Sequence, residues 1–315
     1  MHYDAIVPLL EKVNQSIGEL NSIVNITPDP SIINYMYVRK EAVLSSQIEG
    51  TQSTIDDLLK YESDQTTGLP INDVWEVSSY VNALQYGMQR LKTLPLSLRL
   101  IRELHSILLK NSRGKTKNLG EFRTSQNWVG GTRPGNAKFV PVSPEKLQDV
   151  LSSFEKFMHA EDSIPILVKA SLIHYQFETI HPFLDGNGRI GRLLITLYLY
   201  EKDFLKTPCL YISLFLKRHR SLYYEYLNDV RFNGKWEQWI NFFLEGIYET
   251  TKDALNILQL IQKTFNEDLE KIISLKRAKN SAILIFDCFK KKPLLTIAKI
   301  GIIKANYRQN NRTPY

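Results

Sequence analysis

The chain has 315 residues, of which 43% are apolar and 11% aromatic, so it can bury one large core or two to three small ones. It shows no run of about 18 apolar residues and no basic leader followed by an apolar stretch, so we expect neither a membrane span nor a secretory signal, and a cytoplasmic location. Its net charge of +7 arises in residues 290–315, which hold seven basic and no acidic residues, and its two cysteines, Cys209 and Cys288, lack a zinc-binding spacing.

The N-terminal part, like most of the chain, has apolar residues at helical spacing rather than in strict alternation, which predicts an all-α fold. Helices are predicted over residues 35–47 and 54–61, with a short break between them. Gly50 is suited to end the first helix, and Thr51 or Ser53 is suited to cap the start of the second.

Glycine and proline residues cluster between 114 and 144, and this cluster separates two predicted core helices over 97–110 and 165–179. Within the cluster, residues 122–129 and 138–142 could be short extended segments joined by a turn. The pattern is equally compatible with a surface hairpin and with a plain connecting loop.

Residues 249–275 have apolar side chains near heptad spacing, which predicts a long amphipathic helix. Such a helix could pack on the body of the chain or pair with a second copy, so a homodimer is left open. The basic segment 290–315 is interpreted as a solvated end, with contact to nucleic acid as the weaker alternative. The reason is that the other 289 residues are balanced, with 33 basic and 33 acidic side chains.

Residues 181–192 read His-Pro-Phe-Leu-Asp-Gly-Asn-Gly-Arg-Ile-Gly-Arg and lie between a predicted helix and an apolar helical run. Gly186 and Gly188 can take positive φ and bring backbone amides close to a ligand, while the next helix contributes unpaired N–H groups and a positive dipole end. Arg189 and Arg192 are three residues apart and therefore share one helix face. Together these features predict a polyphosphate site.

Asp185 and His181 add chemistry to this phosphate site. A carboxylate beside bound phosphates indicates Mg²⁺, which nucleotide enzymes hold with few carboxylates and with phosphate oxygens. An imidazole at the same place is suited to take a proton from an attacking hydroxyl. A rival zinc site formed by His174, Glu178 and His181 is disfavoured, because Pro182 is expected to end the helix and the spacing matches no common zinc pattern.

The motif resembles the signature of the Fic family, His-x-Phe-x-Asp/Glu-Gly-Asn-Gly-Arg-x-x-Arg, with every fixed position present. This resemblance implies a helical core that transfers AMP from ATP to a Ser, Thr or Tyr hydroxyl of a target protein. It also implies that His181 is the base, that Asp185 holds Mg²⁺, and that Arg189 and Arg192 grip the β- and γ-phosphates. The residues assigned to ATP on this basis are Gly186, Asn187, Gly188, Arg189, Ile190, Gly191, Arg192 and Tyr224.

Residues 45–50, Ser-Ser-Gln-Ile-Glu-Gly, resemble the family's inhibitory pattern Ser/Thr-x-x-x-Glu-Gly/Asn, with Ser45 and Glu49 at fixed positions. In similar proteins the glutamate pairs with the second arginine of the motif, here Arg192, and keeps the γ-phosphate of ATP out of its productive place. A carboxylate on a phosphate-binding arginine competes with the anion that the arginine would otherwise bind. The chain is therefore predicted to be a poor transferase until this pair is broken.

Two further segments resemble family features. Residues 120–141, which begin Gly-Glu-Phe-Arg, are similar to the flap, a hairpin that aligns the target by main-chain pairing. Residues 217–224 are similar to the region that borders the adenine, although His219 stands where relatives often carry Asn. The predicted organisation is an N-terminal helical region with the inhibitory motif (1–95), a Fic catalytic core with the flap (96–245) and a C-terminal helical extension (246–315).

The C-terminal extension begins like a small winged-helix domain over residues 281–296, but residues 299–315 leave no room for a recognition helix and a wing. Three hypotheses follow. The first is an autoinhibited adenylyltransferase that modifies a target protein or itself. The second is a nucleotide-sensing regulator that binds nucleic acid through the basic end, and the third is removal of AMP, or transfer of another group, by the same site.

Overall fold

A computed structural model describes residues 5–27, 31–63, 71–110 and 118–301, without the side chain of Ile71. These residues form an all-α fold that contains no sheet, which confirms the predicted fold class. The helices are α1 (Val7–Ile26), α2 (Ser31–Ile48), α3 (Ile55–Glu62), α4 (Ile71–Arg90), α5 (Leu98–Leu109), α6 (Pro144–His159), α7 (Ile166–Ile180), α8 (Asn187–Glu201), α9 (Ser213–Arg218), α10 (Arg220–Asn233), α11 (Trp236–Ile273) and α12 (Lys279–Phe289).

Helix α8 lies at the centre of the molecule and carries the second half of the motif. It packs against α7 along much of its length and also contacts α2, α4 and α5. Its side chains from Leu193 to Leu199 are buried. Because neighbouring helices enclose α8, the position of its first turn is set by the close-packed core.

The two predicted N-terminal helices are α2 and α3. Helix α2 starts four residues before its predicted start and ends one residue after its predicted end, whereas α3 is shifted by one residue from its predicted bounds. Gly50 follows α2 with a φ of +101°, a conformation that favours glycine. The cap of α3 is Thr54, which forms a capping box with Asp57. The predicted caps, Thr51 and Ser53, were therefore wrong, and both of these side chains are buried instead.

The glycine- and proline-rich segment folds back on itself. Val129 and Phe139 form an isolated antiparallel bridge, and Pro134–Asn136 form a 3-10 turn between them. The side-chain oxygen of Asn136 accepts a hydrogen bond from the Thr132 amide at 2.9 Å, which closes the turn. Of the two alternatives that the sequence left open, this segment is the hairpin, although among the described residues its strand pairing is limited to that one bridge.

The C-terminal part consists of one long helix and one short helix. The long helix, α11, begins at Trp236 rather than at the predicted residue 249, and it packs against α1 and α7. The amphipathic helix therefore packs on the body of the chain. Among the described residues, no helix combines the length and apolar character needed to cross a bilayer. Most of the segment predicted to lack room for a recognition helix, residues 302–315, lies outside the described residues.

Candidate active site

His181 ends α7 in a left-handed conformation, with a φ of +49° that residues other than glycine rarely adopt. Two side chains of the flap hold its carbonyl oxygen: Arg123 Nε donates to it at 3.0 Å and Asn127 Nδ2 at 3.0 Å. Arg123 is buried and also donates to the carbonyl of Val142, just beyond the other arm of the flap. The base of the flap thus fixes a strained backbone at the predicted catalytic residue.

The imidazole of His181 is kept neutral by its surroundings. Burial lowers its pKa to about 4, and although the carboxylate of Glu49 opposes this shift, the charges of Arg231 and Arg123 favour it. At neutral pH the ring therefore has a free lone pair, as a general base requires.

The loop between His181 and α8 is closed by Asn187. Its Oδ1 accepts a hydrogen bond from the Phe183 amide at 2.8 Å, and its Nδ2 donates to the Phe183 carbonyl at 2.8 Å. The ring of Phe183 stacks on the buried His105 at a centroid distance of 3.8 Å. Because the Asn187 side chain is used within the loop, only the backbone at this position is available to a ligand.

Helix α8 starts after Gly186, whose φ of +78° requires glycine. The first hydrogen bond of the helix joins the Ile190 amide to the Gly186 carbonyl at 3.0 Å. The amides of residues 187–189 precede it and have no partner within the helix, so they form an anion site at the positive end of the helix dipole.

Gly188 lies within the first turn of α8 and does not have a positive φ, so the prediction that it turns the backbone was wrong. Its role is one of space. A Cβ atom at this position would overlap Glu49 Oε1 and crowd Arg192 Nη1. The missing side chain lets an oxygen anion reach the start of the helix.

Arg192 and Glu49 form an ion pair at this place. Arg192 Nη2 donates to Glu49 Oε1 at 2.6 Å, and its guanidinium also donates to the hydroxyl (2.8 Å) and the carbonyl (3.0 Å) of Ser45. Burial disfavours the charged form of Glu49, but the charge and hydrogen bond of Arg192 outweigh this, so the pKa of Glu49 is lowered. The structure therefore brings together Ser45, Glu49 and Arg192, which are far apart in the sequence.

Arg189 points to other carboxylates. Its Nη1 lies 3.3 Å from Glu76 Oε2 of α4, and both side chains are buried. Its Nη2 lies 3.6 Å from Asp185 Oδ1. The two motif arginines thus start from one helix face and diverge to separate partners.

Asp185 is the one motif carboxylate that could hold a metal ion. Its side chain is 41% exposed, and its contacts with the described residues fall on Oδ1, which accepts from the Gly186 amide at 2.6 Å. The described residues contain no group of three or more His, Cys, Asp and Glu side chains that could bind a metal. The donor set, one carboxylate next to a phosphate cradle, fits Mg²⁺ held largely by nucleotide oxygens and water.

His174 and Glu178 form a buried layer beneath the site. His174 Nε2 lies 3.0 Å from the Tyr223 hydroxyl, and burial raises the pKa of Glu178 to about 7. Both side chains face Gly191, where a Cβ would overlap Glu178 Oε1. These two residues therefore pack against α8 beneath the motif.

Two of the residues that the resemblance assigns to ATP, Ile190 and Gly191, lie on the packed side of α8. The Ile190 side chain is fully buried in the core and its amide is used within α8. Gly191 faces the buried Glu178 and His174. Neither residue presents a group to the ligand side of the helix, because a helix turns by about 100° per residue and these positions point inward.

The segment predicted to border the adenine lies close to the inhibitory turn. Burial raises the pKa of the half-buried Tyr224, and the next largest cause is the charge of Glu49. Lys217 Nζ donates to Gln47 Oε1 at 2.7 Å, which ties α9 to the end of α2. His219 packs on Phe215 with ring centroids 4.3 Å apart.

Family models match the two parts of the chain that build this site. The model of the Fic/DOC family N-terminal region matches residues 7–89, and the model of the Fic/DOC family matches residues 95–199. Together these ranges cover more than half of the chain. The chain belongs to the Fic/DOC family.

Curated Fic relatives are similar over parts of their length. A protein named protein adenylyltransferase Fic from Culex quinquefasciatus is 39% identical over 111 residues, which are 34% of this chain and 19% of the relative. A probable protein adenylyltransferase from Aquifex aeolicus is 27% identical over 267 residues, 78% of this chain and 79% of the relative. The chain spans about a fifth to a third of the length of the insect relatives that it matches.

Solved Fic structures share the fold. A Fic family protein from Desulfovibrio desulfuricans superimposes with a TM-score of 0.68 at 22% identity, covering 82% of this chain and 76% of that one. Fic-1 from C. elegans does so with a TM-score of 0.62 at 23% identity, covering 82% and 74%. These likenesses establish the architecture.

Three residues near the Fic motif carry roles that sequence reasoning missed. Glu76 neutralises Arg189, Asn127 holds the carbonyls of His181 and Phe183, and Arg231 places its guanidinium 3.8 Å from the centroid of the Phe139 ring in the flap. No local pattern marks Glu76 or Arg231, because each acts on a residue far away in the chain. The sequence does not single out Asn127 either, because it ends a run of four uncharged polar residues, 124–127.

Proposed function

We propose that this chain is an autoinhibited protein adenylyltransferase. The observation that carries the proposal is the 2.6 Å ion pair between Glu49 and Arg192, set against the unpaired amides at the start of α8. An anion already lies where a phosphate would bind. The names of the relatives support the reaction, and the exact Fic motif supports its location.

ATP is proposed to bind with its phosphates over the amides of residues 187–189. Arg192 and Arg189 supply positive charge on the same side, and Gly188 supplies the space. Asp185 would hold Mg²⁺, which neutralises phosphate charge when bound. Tyr224 is proposed to border the adenine, because its segment is tied to the end of α2 by the hydrogen bond of Lys217 to Gln47.

Transfer begins with the acceptor hydroxyl of a target protein. Neutral His181 takes its proton, the hydroxyl oxygen forms a bond to the α-phosphorus, and the bond from that phosphorus to the bridging oxygen breaks to release pyrophosphate. Because Arg123 and Asn127 fix the His181 backbone, the base is held in place before the substrates meet.

The flap is proposed to dock the target. Among the described residues of the flap, strand pairing is limited to the bridge of Val129 and Phe139, and we expect other backbone groups of its arms to pair with an added strand. The same segment holds His181 through Arg123 and Asn127. The flap would therefore both dock the target and hold the histidine that takes the proton from it.

Inhibition follows from competition for Arg192. While Glu49 accepts the hydrogen bond of the Arg192 guanidinium, that donor cannot bind a γ-phosphate, and the carboxylate charge repels the phosphate. Removing the carboxylate leaves the anion site open and the rest of the machinery unchanged.

The test is labelling of protein by ATP with a radioactive α-phosphate, using the full chain, Mg²⁺ and lysate from its source cell. Glu49→Gly is expected to raise labelling by about tenfold or more, and His181→Ala in that background is expected to abolish it. Glu161→Gly, in the exposed loop before α7, is the matched control and should leave labelling unchanged. Full labelling by the His181→Ala form would refute the mechanism.

Mass spectrometry of the labelled proteins distinguishes this reaction from its alternatives. Adducts of AMP on a target or on the chain itself support transfer. Loss of AMP from a previously modified protein would indicate removal by the same site, and another adduct mass would indicate transfer of a different group.

A further inference from the structure

A cavity of about 610 Å³ lies between the C-terminal helix and the first helices of the chain. One wall is formed by α12 and the segment after it, and the other by Tyr35 of α2 and by Glu62 and Ser63 at the end of α3. No residue of the His181–Arg192 motif lines it. The volume is that of a typical small-molecule site.

The C-terminal wall is largely aliphatic. Its side chains are only partly buried, so they present hydrocarbon surface to the cavity. The aliphatic residues are Leu284, Ile285, Leu294, Leu295 and Ile300. Such a surface favours a ligand with a hydrocarbon part.

The charges around the cavity are unbalanced. Of its carboxylates, Asp287 pairs with Lys290 at 3.2 Å, and Glu62 accepts from both Tyr35 (2.6 Å) and Arg39 (2.8 Å). Lys291 and Lys292 also line the cavity, and neither has an ion pair or hydrogen-bond partner through its side chain among the described residues. The lining therefore offers exposed cations beside an aliphatic wall.

We propose that this cavity binds a medium-chain fatty carboxylate. The hydrocarbon chain packs against the aliphatic wall of α12 and the segment after it, and the carboxylate is held by Lys291 and Lys292. The lysine stems extend along the apolar wall and keep their charged ends at the mouth of the cavity.

The position of the cavity connects it to the inhibitory glutamate. Helices α2 and α3 form a hairpin, here called the inhibitory hairpin, whose closed end carries Glu49 and whose open end carries the contacts of Glu62 with Tyr35 and Arg39. From Tyr35 to Glu49 the span is about 20 Å of mostly helical chain. A ligand in the cavity also borders Tyr35, Glu62 and Ser63 on the opposite wall. It therefore fills the space between α12 and the open end, and stabilises the hairpin as it stands and with it the pair of Glu49 and Arg192.

Binding is tested with radiolabelled decanoate and the full chain in equilibrium dialysis. Saturable binding of one decanoate is expected, with 1-decanol competing at least about tenfold more weakly because it lacks the charge. Unsaturable uptake, or equal competition by 1-decanol, would overturn the proposal.

Variants locate the site. Leu284→Gln places a polar group on the aliphatic wall and is expected to weaken binding about tenfold, and Lys291→Ala with Lys292→Ala is expected to weaken it about tenfold as well, the loss expected for a ligand without the charge. The matched controls are Leu260→Gln and Lys263→Ala, both on the exposed part of α11, and they should bind as the unchanged chain does. Equal losses in variants and controls would place the ligand elsewhere.

The same measurements distinguish decanoate from two other occupants of the cavity, the end of this chain and a second copy of the chain. If Ile302→Asp with Ile303→Asp raises decanoate binding more than about tenfold, the cavity belongs to the end of this chain and the proposal is wrong. If Leu284→Gln changes the sedimentation of the chain and leaves decanoate binding unchanged, the occupant is a second copy.

The regulatory part rests on the proposed function and is tested separately. Decanoate is expected to lower labelling by the unchanged chain and to leave labelling by Glu49→Gly unaltered. Equal effects on both forms would overturn the link to Glu49. If neither form labels protein, the proposed function fails, and the regulatory link fails with it, whereas the dialysis result decides the binding site on its own.

Discussion

Two buried arginines one turn apart on α8 are each paired with a carboxylate, yet the pairs differ in where the carboxylate comes from. Arg189 meets Glu76 within the packed helix α4, with side-chain exposures of 5% and 6% and a separation of 3.3 Å. Arg192 meets Glu49 on the turn after α2 at 2.6 Å, and that glutamate is 37% exposed. A carboxylate on a turn can leave by a local motion, whereas one inside a helix cannot.

The distance between the charged groups of an ion pair therefore does not show whether the pair is permanent. The shorter pair is the one that a phosphate can replace, because its carboxylate is partly in water and its charge is easily solvated. The longer pair is enclosed, and losing either partner would leave an uncompensated charge in the core. We therefore propose that the pair of Arg189 and Glu76 is permanent and that the pair of Arg192 and Glu49 is the one that opens.

The largest expected effect comes from breaking the enclosed pair. Glu76→Gln leaves Arg189 with only the more distant and partly exposed Asp185, at 3.6 Å, and is expected to lower the free energy of unfolding by about 3 kcal/mol. Glu49→Gln is the matched variant and is expected to cost less than about 1 kcal/mol, since its carboxylate is partly exposed. Urea unfolding of both variants measures the two values, and equal losses would remove the distinction between the pairs.

Arg123 is a third buried arginine near the site, and unlike Arg189 and Arg192 it has no carboxylate partner among the described residues. Its donors go to carbonyl oxygens, including that of His181. In the Glu49→Gly background, Arg123→Met is expected to slow labelling about 100-fold through misplacement of the base. Its affinity for ATP should not change.

Two measurements distinguish an effect of Arg123 on the position of His181 from an effect on the folding of the whole site. Titration with a fluorescent ATP analogue gives the affinity, and the labelling rate at saturating ATP gives the catalytic step. A loss of ATP affinity as large as the loss of rate would show that Arg123 supports the whole site rather than the histidine.

The pair of Arg192 and Glu49 is tested by a substitution that removes the charge of Glu49 and keeps the shape of its side chain. Glu49→Gln is expected to tighten the binding of ATP about tenfold, because the competing anion is gone and Arg192 is free. Calorimetric titration with Mg·ATP measures this. Unchanged affinity would mean that Glu49 acts on transfer and not on the binding of phosphates.

The smallest effect concerns Glu178, a carboxyl near these arginines whose buried oxygen Oε1 has no hydrogen-bond partner among the described residues. Burial raises its pKa from 4.5 to about 7, so its protonated form favours the folded state. The stability that it contributes is complete below pH 4.5 and is lost as the pH rises through 7.

Glu178→Gln is accordingly expected to flatten the decline of unfolding free energy between pH 5 and 8 by about 1 kcal/mol. Part of the decline should persist, since burial also raises the pKa of Glu41 to about 7. Urea unfolding at several pH values checks this. An unchanged pH dependence would show that Glu178 has the same pKa in the folded and unfolded chain.

Much of the fold could be predicted because its signals are local. Apolar spacing marked the helices that became α5 and α7, and Ser97 caps α5 at the predicted boundary. The start of α11 was missed, although Trp236, Trp239, Ile240 and Phe243 stand at the i, i+3, i+4 and i+7 spacing of a helix.

The candidate site could be predicted only where a sequence motif implies which residue it contacts. The contact of Glu49 with Arg192 followed from two family patterns, while Glu76 and Arg231 act across more than 40 residues and have no local signature. The roles of Gly188 and Gly191 also depend on what faces them in space. A glycine in a sequence shows that room is needed, but not for which neighbour.

The space at Gly188 has a consequence for how the chain responds to its substrate. In the autoinhibition proposed above, the Glu49 carboxylate and a phosphate oxygen would share one footprint there, and the glutamate would act as a tethered competitor whose effective concentration is set by the turn that carries it. The apparent affinity for ATP then scales with the fraction of molecules in which the tether is released. Enlarging residue 188 cannot separate the two, because any side chain that expels the inhibitor also closes the place of the nucleotide.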